Sequence, residues 1–439
     1  MIWLKRPRLR GLFIGEEIMS YGLLGEKLGH SFSKILHAAI GNDDYELIEV
    51  AKDKVDDYLA ASDFDGINVT IPYKEVAMRY CEPDETATEI GCVNTLLKKD
   101  GKVYGYNTDC LGFAYLAESI GAKWCDSKVV ILGSGGTSKT ATYVAVKGKA
   151  SEVVIVSRKA MNVNRDEALC IRHSTYEHSE EWKDADILIN TTPVGMYPNN
   201  DGMPVDLDVF DSLKAVVDVI YNPLETRLVQ EAKKRGIPAG CGLPMLVAQG
   251  YFAEKIWGKV EIKDCDQNEM IESITADILR MKQNIVLTGM PGSGKSTIGR
   301  LLADKLKRDF VDTDEEFSER FGITPGECIT TYGEEKFRDM ESEVVLRVSK
   351  ESGRVIATGG GAILRQENRD ALKSNGYVIF LNRDPGVLAT DGRPLSQKDG
   401  VMKLYEERMP IYRAFKDIEV NVSDDPNETL DQALTEFSK

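Results

Sequence analysis

Short apolar runs alternate along the chain with glycine-bearing turns and helix-forming stretches. Tyr21–Gly25 predicts a strand, GEKLGHSFS the loop after it, and Ser33–Ile40 a short helix. Tyr45–Val50 predicts a second strand, and Phe64–Pro72 contains a third that runs into a turn. A second series opens at Lys128–Leu132, an apolar strand, followed by a tight turn at Gly133–Gly136 and a small-residue helix over Thr137–Val146. SEVVIVSRK, ADILINTTP, AVVDVIY and GIPAGCG continue the buried-strand pattern, the rhythm of a parallel sheet crossed by helices. LPMLVAQGYFAEKIWG predicts a helix ended by Gly258. Glu269–Met281 predicts an amphipathic one, with Met270, Ile271, Ile274, Ile278 and Leu279 at helical spacing. NIVLTG, from Asn284, starts a third series. Between the second and third lie only a few residues, near Arg280–Gln283, without a Pro/Gly/Ser spacer, so close packing or a continuous helix is expected there.

The chain has 439 residues, which at roughly 100–200 residues per domain gives two to four domains. Apolar residues make up 42% and charged residues 29%, a composition that fills ordinary cores. A net charge of -16 gives no general reason to bind nucleic acid or an anionic membrane. Eight cysteines without a CxxC pair, and four histidines, argue against a disulfide scaffold or a zinc centre and for a reducing, cytoplasmic setting. No apolar run is long enough to span a bilayer, and the basic start MIWLKRPRLR reads as a tail before Tyr21 or as the product of a start codon placed too early. Nothing in the residues sets an oligomeric state.

Gly133, Ser134, Gly135, Gly136 and Thr137 follow a strand and open a helix, the setting in which a glycine turn lets a pyrophosphate approach a helix N-terminus. A structural turn would look similar. The end of the next strand discriminates more. An NAD site places a carboxylate there, whereas this chain has Ser157, Arg158 and Lys159. A carboxylate would repel a 2'-phosphate and Arg158 can hold one, so the expected cofactor is NADPH/NADP+. Hydride transfer to a ketone needs a cation or proton donor beside the oxygen that gains charge. Lys74, at the exit of the NVTIP strand, is a candidate, with Asp109 to orient it, although many lysines in such places are merely solvated.

GMPGSGKST follows an apolar strand and leads into a helix, which makes it a P-loop. Gly292, Ser293, Gly294 and Thr297 would cradle phosphate, Lys295 would reach the transferred group, and Ser296 would ligate Mg2+, implying ATP. In the DTD segment an extended backbone would put Asp312 and Asp314 on one side, one for the magnesium shell and one for the acceptor hydroxyl.

GLLGEKLGHSFS, INVTIPYKE, IGCVNTL, YGYNTDCLG, NTTPVGM, DVIYNPLETRL and GLPMLVAQG occur in one order, and in it they resemble shikimate dehydrogenase from about Tyr21 to Leu279. The resemblance implies Lys74 and Asp109 as the catalytic pair. It implies Ser31, Ser33, Asn68, Thr70, Asn94 and Gln249 around the substrate, with Tyr221 beside them. Thr192, Met196, Gly242 and the glycine turn would border the cofactor. Behind the P-loop, GEEKFRDMESEVVLRV, ATGGGAI, GRPL and ERMPIYR resemble shikimate kinase from about Asn284 to the end. That implies Arg338 and Arg408 as clamps on the substrate carboxylate and Gly359, Gly360 and Gly361 as a close-approach loop. Arg393 would be the lid arginine on the phosphoryl group. Only GVLATD separates LNRDP from GRPL, which implies a short lid.

The expected fold class is α/β throughout, in three folded units: a substrate domain (19–110), a Rossmann-like NADP domain (111–258) and a P-loop kinase domain with a parallel sheet (282–439). The helical segment 259–281 is expected to return to the substrate domain. The implied function is consecutive: 3-dehydroshikimate is reduced to shikimate, and shikimate is then phosphorylated to shikimate 3-phosphate.

Overall fold

A computed structural model describes residues 20–29, 31–159, 170–259, 267–388 and 400–438. The chain divides into two compact units. One takes the described residues up to Thr108 together with those of Gly250–Ile262; the other takes Asp109–Gln249 and the remainder.

The first unit is built on a six-stranded mixed sheet: β1 (Tyr21–Gly25), β2 (Tyr45–Glu49), β3 (Gly66–Val69), β4 (Glu82–Pro83), β5 (Thr95–Lys99) and β6 (Lys102–Tyr106), in the order β2-β1-β3-β5-β6-β4. β1 pairs in parallel with β2 and β3, while β3–β5 and β5–β6 are antiparallel. Its helices include α1 (Ser33–Ile40), α2 (Val55–Ala61), α3 (Lys74–Ala77) and α4 (Glu85–Ile90). Leu24, Ile67, Val69 and Leu96 lie at the centre of its core, as the apolar strand runs require.

In the second unit α5 (Asp109–Ser119) leads to a parallel sheet of β7 (Lys128–Leu132), β8 (Glu152–Ser157), β9 (Ile171–Thr175), β10 (Ile187–Asn190), β11 (Ala215–Asp218) and β12 (Ala239–Gly240). The order β12-β11-β10-β7-β8-β9 is that of a doubly wound Rossmann sheet, with its switch point between β7 and β10. Its helices include α6 (Gly136–Lys147), α7 (Arg227–Lys234), α8 (Leu243–Trp257) and α9 (Gln267–Lys282). α9 ends at Lys282 and the next strand begins at Asn284, so Gln283 alone separates them.

The third sheet is also parallel: β13 (Asn284–Thr288), β14 (Phe310–Asp312), β15 (Val355–Ala357), β16 (Gly376–Asn382) and β17 (Ile418–Asn421), ordered β14-β15-β13-β16-β17. It is flanked by α10 (Lys295–Leu306), α11 (Thr313–Phe321), α12 (Pro325–Tyr332), α13 (Glu334–Ser349), α14 (Gln366–Asn375), α15 (Val401–Phe415) and α16 (Pro426–Phe437).

Two expectations change. The segment that returns to the first unit is the end of α8, not the helix over 259–281. Trp257 explains this: its indole N–H donates to Leu96 O at 2.9 Å, and its ring fills the space where a side chain at Gly66 would stand. α9 instead packs in the second unit, where Thr275 and Leu279 line a cavity with Leu116 and Ser119 of α5 and with Ile120 just beyond it. The second change is that the Rossmann and P-loop sheets share one compact unit, because polar bonds join the stretch 224–234 to 370–375.

Candidate active sites

In the first unit the predicted residues gather at one end of β1 and β3. Thr70 follows β3, and its N–H donates to Leu24 O at 2.9 Å. Ser31 Oγ donates to Ser33 Oγ at 3.0 Å at the entrance to α1. Asn68 is 4% exposed, and its carboxamide is locked on both sides: Tyr45 OH donates to Oδ1 at 2.8 Å, and Nδ2 donates to Thr95 Oγ1 at 3.0 Å. Asn94 is held likewise, accepting from Thr108 N at 2.7 Å and donating to Thr108 Oγ1 at 3.0 Å. Lys74 opens α3, and its carbonyl accepts from Val93 N at 3.1 Å, which ties this turn to the Asn94 segment.

Tyr45, Thr95 and Thr108 are supports that sequence reasoning missed; as single residues in strands or loops they carry no motif. A buried pair behind them was missed as well. His37 Nδ1 lies 2.6 Å from Glu254 Oε1, and Asn42 Nδ2 donates to the same oxygen at 2.7 Å. The imidazole stacks on Tyr45 with ring centroids 3.7 Å apart, and burial lowers its pKa.

In the second unit the predicted cofactor residues stand at the carboxyl ends of the parallel strands, the edge where doubly wound sheets bind ligands. Gly133 follows β7 with φ at 104°, and a side chain there would start 2.8 Å from Thr191 Oγ1. Only glycine accepts both the left-handed backbone and the close approach across the switch point. Ser134 and Gly135 are exposed, Gly135 caps α6, and Gly136 and Thr137 form its first turn. Ser157 closes β8, and its hydroxyl donates to Lys159 O at 2.7 Å, with Arg158 and Lys159 exposed beyond it. Thr192 follows β10 and donates to Asn190 Oδ1 at 2.7 Å. Met196 is 45% exposed. Tyr221 follows β11, and Gly242 follows β12, so close to Val219 O that no side chain fits. Asp109 opens α5 and is 7% exposed; Gln249 sits on α8 against Gly112.

Asp218 underlies these loops. It is fully buried and accepts from Asn190 Nδ2, Ile220 N and Thr226 Oγ1 at 3.1, 3.1 and 2.7 Å. Burial pushes its carboxyl up to about 6, against the pull of those three donors.

The P-loop residues form the floor of a cavity of about 460 Å³. It is lined by Gly292, Gly294, Lys295, Ser296, Thr297, Asp312, Asp314, Arg338, Gly359, Gly360, Gly361 and Arg408. Thirteen of the residues predicted for this half fall in the described part, and of these Ser293 alone turns its side chain away from the cavity, into the core. Arg393, with the short lid segment beyond Leu388, lies outside the described residues. Gly292 and Gly294 have φ of 84° and 92°, which turns the loop around the phosphate position. Lys295 Nζ donates to Gly289 O and Met290 O, both at 3.0 Å. Ser296 Oγ donates to Asp312 Oδ2 at 2.5 Å, so a hydroxyl and a carboxylate, both hard oxygen donors, adjoin each other where Mg2+ is expected.

The DTD segment is not extended. α11 begins at Thr313, and Asp312 caps it by accepting from Asp314 N at 3.0 Å. The two carboxylates still reach one cavity, because a cap and a first-turn residue both point off the helix start. Asp314 is pushed up to about 6 by burial and by the charges of Asp312 and Glu341, while Lys295 and Arg338 pull it down.

Glu341 and Arg383, which also line the cavity, were not foreseen. Arg338 donates to Glu341 Oε2 at 2.6 Å and to Glu334 Oε1 at 3.1 Å, a spacing of three and four residues on α13 that the sequence does display. Tyr412 OH donates to Gly289 O at 2.9 Å and also bonds Gly360 O, tying the P-loop to the glycine loop.

Comparison with known proteins gives two family matches: the shikimate dehydrogenase substrate binding domain over residues 23–96 and shikimate kinase over residues 291–438. A curated relative, the NADP(+) shikimate dehydrogenase of Clostridium perfringens, is 39% identical over 266 residues, covering 58% of this chain and 97% of its own. Among solved structures, shikimate dehydrogenase 1 from Peptoclostridium difficile superposes with a TM-score of 0.54 at 30% identity, covering 59% of this chain and 99% of that one. A chorismate mutase/shikimate 5-dehydrogenase fusion from Clostridium acetobutylicum superposes with a TM-score of 0.55 at 33% identity, covering 60% and 99%.

Proposed function

The chain belongs to the shikimate dehydrogenase family and carries a shikimate kinase domain behind it, and from that premise we propose which residues perform each reaction. The activities are consecutive: 3-dehydroshikimate is reduced to shikimate with NADPH, and shikimate is phosphorylated to shikimate 3-phosphate with ATP. The proposed boundaries are 19–110 for substrate binding, 111–258 for NADP and 282–439 for the kinase, with the stretch from Gly250 shared with the first.

In the reduction, NADPH supplies the hydride. Lys74 gives the proton to the carbonyl oxygen as that oxygen gains charge, and Asp109 orients the ammonium. Ser31, Ser33, Asn68, Thr70, Asn94, Tyr221 and Gln249 bind the ring hydroxyls and the carboxylate. Asn68 suits this work because Tyr45 and Thr95 fix which way its amide faces. The turn from Gly133 to Thr137 takes the pyrophosphate, Ser157, Arg158 and Lys159 the 2'-phosphate, and Thr192, Met196 and Gly242 the nicotinamide side. The fit of Gly133 against Thr191 supports this, since that close approach leaves no room for a side chain.

In the phosphorylation, ATP supplies the phosphoryl group. Gly292–Thr297 hold its phosphates, Ser296 and Asp312 hold Mg2+, and Lys295 and Arg393 neutralise the charge on the moving group. Asp314 takes the proton of the acceptor hydroxyl. Arg338, Arg408 and Gly359–Gly361 bind shikimate. The observation that carries the kinase reading is that the P-loop, both aspartates and both arginines line one cavity. A planar carboxylate suits paired guanidinium groups, which argues for an acidic acceptor over a neutral sugar.

The partners proposed are small molecules, not nucleic acid or membrane, and the setting is cytoplasmic. No described helix is long and apolar enough to cross a membrane, and no disulfide joins the cysteines among the described residues. The test is a coupled assay of the purified chain with 3-dehydroshikimate, NADPH, ATP and Mg2+. NADPH consumption and shikimate 3-phosphate are expected together. Shikimate accumulating unphosphorylated would remove the kinase assignment, and unconsumed NADPH the dehydrogenase one.

A further inference from the structure

Tyr221 stands just before a segment of the NADP part that leans on the P-loop part. The Leu224 N–H donates to Asn375 Oδ1 at 2.9 Å, and the Glu225 N–H donates to Ser374 O at 2.8 Å. Both acceptors close α14. Asn375 is 1% exposed and is itself anchored, its Nδ2 donating to Ser349 O and Lys350 O at 3.2 Å each. On either side of this point the segment is pinned within its own part, at Ile220 and Thr226, both bound to Asp218.

The neighbouring loop is tied in the same direction. Tyr197, next to Met196, donates its N–H to Asn222 O at 3.0 Å and its hydroxyl to Glu351 Oε1 at 3.2 Å. Further out, Gln230 Nε2 donates to Asp370 O at 3.1 Å, and Lys234 pairs with Asp370 at 2.8 Å. The two loops bearing Met196 and Tyr221 are therefore joined to each other at Asn222, and each is bonded to the P-loop part. A buried backbone N–H needs a partner, and for Leu224 and Glu225 that partner is a kinase group.

We propose that the kinase part is a working component of the dehydrogenase: Asn375, assisted by Ser374 and Glu351, is a positioning residue that holds the Tyr221–Thr226 segment and the Met196 loop in place for reduction. The proposal rests on the reading that Met196 borders the nicotinamide side and Tyr221 the substrate. Asn375 is neither among the residues that line the kinase cavity nor among those placed at the dehydrogenase site. It acts through the backbone of Leu224, and a shift of the order of 1 Å in a positioned group is enough to cost turnover.

The experiment uses the full chain with Asn375→Ala, and with Glu351→Ala as a second variant that leaves the buried helix ends alone. Steady-state kinetics of both reactions are measured, together with amide hydrogen exchange of the 220–226 segment. The expected result for Asn375→Ala is a five- to twentyfold rise in the KM for NADPH, a smaller change in the dehydrogenase kcat, faster exchange at Leu224, and kinase constants within twofold of wild type. Glu351→Ala is expected to raise the KM for NADPH two- to fivefold, and it decides the matter if Asn375→Ala does not fold. Dehydrogenase constants within twofold of wild type in the folded variants would overturn the proposal, as would kinase and dehydrogenase activities falling together. Met196→Ala and Tyr221→Ala are run alongside. If they too leave both dehydrogenase KM values unchanged, the placement of Met196 by the nicotinamide and of Tyr221 by the substrate has failed and the proposal falls with it. If they raise them while Asn375→Ala does not, the positioning role alone is lost.

Discussion

Arg338 and Glu341 lie one helical turn apart on α13, 7% and 3% exposed, and form an ion pair at 2.6 Å. Arg338 also fills the space above Gly361, where any side chain would collide with its guanidinium. The arginine proposed to meet the substrate carboxylate is thus already half engaged and fixed in direction. Glu341 holds the fork still, and its own carboxyl is raised by burial against the pull of Arg338.

Arg338→Met is expected to raise the KM for shikimate at least tenfold while ATP binding stays near wild type. It also leaves Glu341 buried without its partner, and breaking such a pair costs about 3–5 kcal/mol. A double variant, Arg338→Met with Glu341→Met, is expected to recover much of that stability but none of the KM. Urea denaturation beside shikimate kinetics separates the two roles. An unchanged KM in Arg338→Met would place the residue outside the substrate site.

NADPH is expected to bind at least tenfold more tightly than NADH, a difference of about 1.4 kcal/mol that one arginine–phosphate contact can supply. The end of β8 presents Arg158 and Lys159, both exposed, where a carboxylate would be needed for NADH. Arg158→Ala should weaken NADPH and leave NADH almost untouched. Fluorescence titration of both cofactors reads this directly, and equal affinities in the unmodified chain would refute it.

Lys74→Ala is expected to abolish reduction of 3-dehydroshikimate and leave shikimate phosphorylation near wild type, with Lys295→Ala doing the reverse. The two lysines sit in different compact units, and Lys295 is hydrogen-bonded within its own P-loop. Assaying each reaction separately on both variants checks this. Loss of both activities in Lys74→Ala would mean that one chemistry depends on the other lysine.

Asp218 gives a pH-dependent stability. Its carboxyl is held at about 6 in the fold, against about 3.9 unfolded, so the folded state binds the proton more tightly. The associated stability is fully present below pH ~4 and is lost as pH rises through ~6, up to about 3 kcal/mol for a shift of this size. An asparagine at this position can still accept from Asn190 and Ile220 and donate to Thr226. Asp218→Asn is therefore expected to fold and to flatten the dependence of urea stability between pH 4 and 6. A profile identical to wild type would show that Asp218 does not titrate there.

Much of this was readable from residue order because apolar runs and their punctuation are local. Tyr21–Gly25, Ser33–Ile40 and Lys128–Leu132 lie where the pattern puts them, and α8 stops before Gly258, whose φ of 65° suits glycine at a helix end. The P-loop cavity was legible for the same reason, since one motif carries six of its residues. What depended on distant partners was not. Whether Trp257 or Ile274 faces the first sheet is decided by what each meets, not by spacing, and the two helices look equally able to return. Asn375 reads as an ordinary polar end of a helix, and its partner Leu224 lies 151 residues away. An extended DTD segment was only one way to bring its aspartates together: Asp312 ends β14 and caps α11, which starts at Thr313.

The joint between α9 and β13 is one residue wide, at Gln283. A helix turns about 100° and rises about 1.5 Å per residue, so its last turn fixes the angle at which the following strand departs. The fusion is therefore keyed like a shaft rather than tethered like a leash. Adding or deleting a single residue in the last turn of α9 would swing the incoming sheet by about 100°, away from the register in which Asn375 meets Leu224. A rejoined gene that keeps every residue of both enzymes but alters the joint by one codon would then encode two sound halves that no longer mesh.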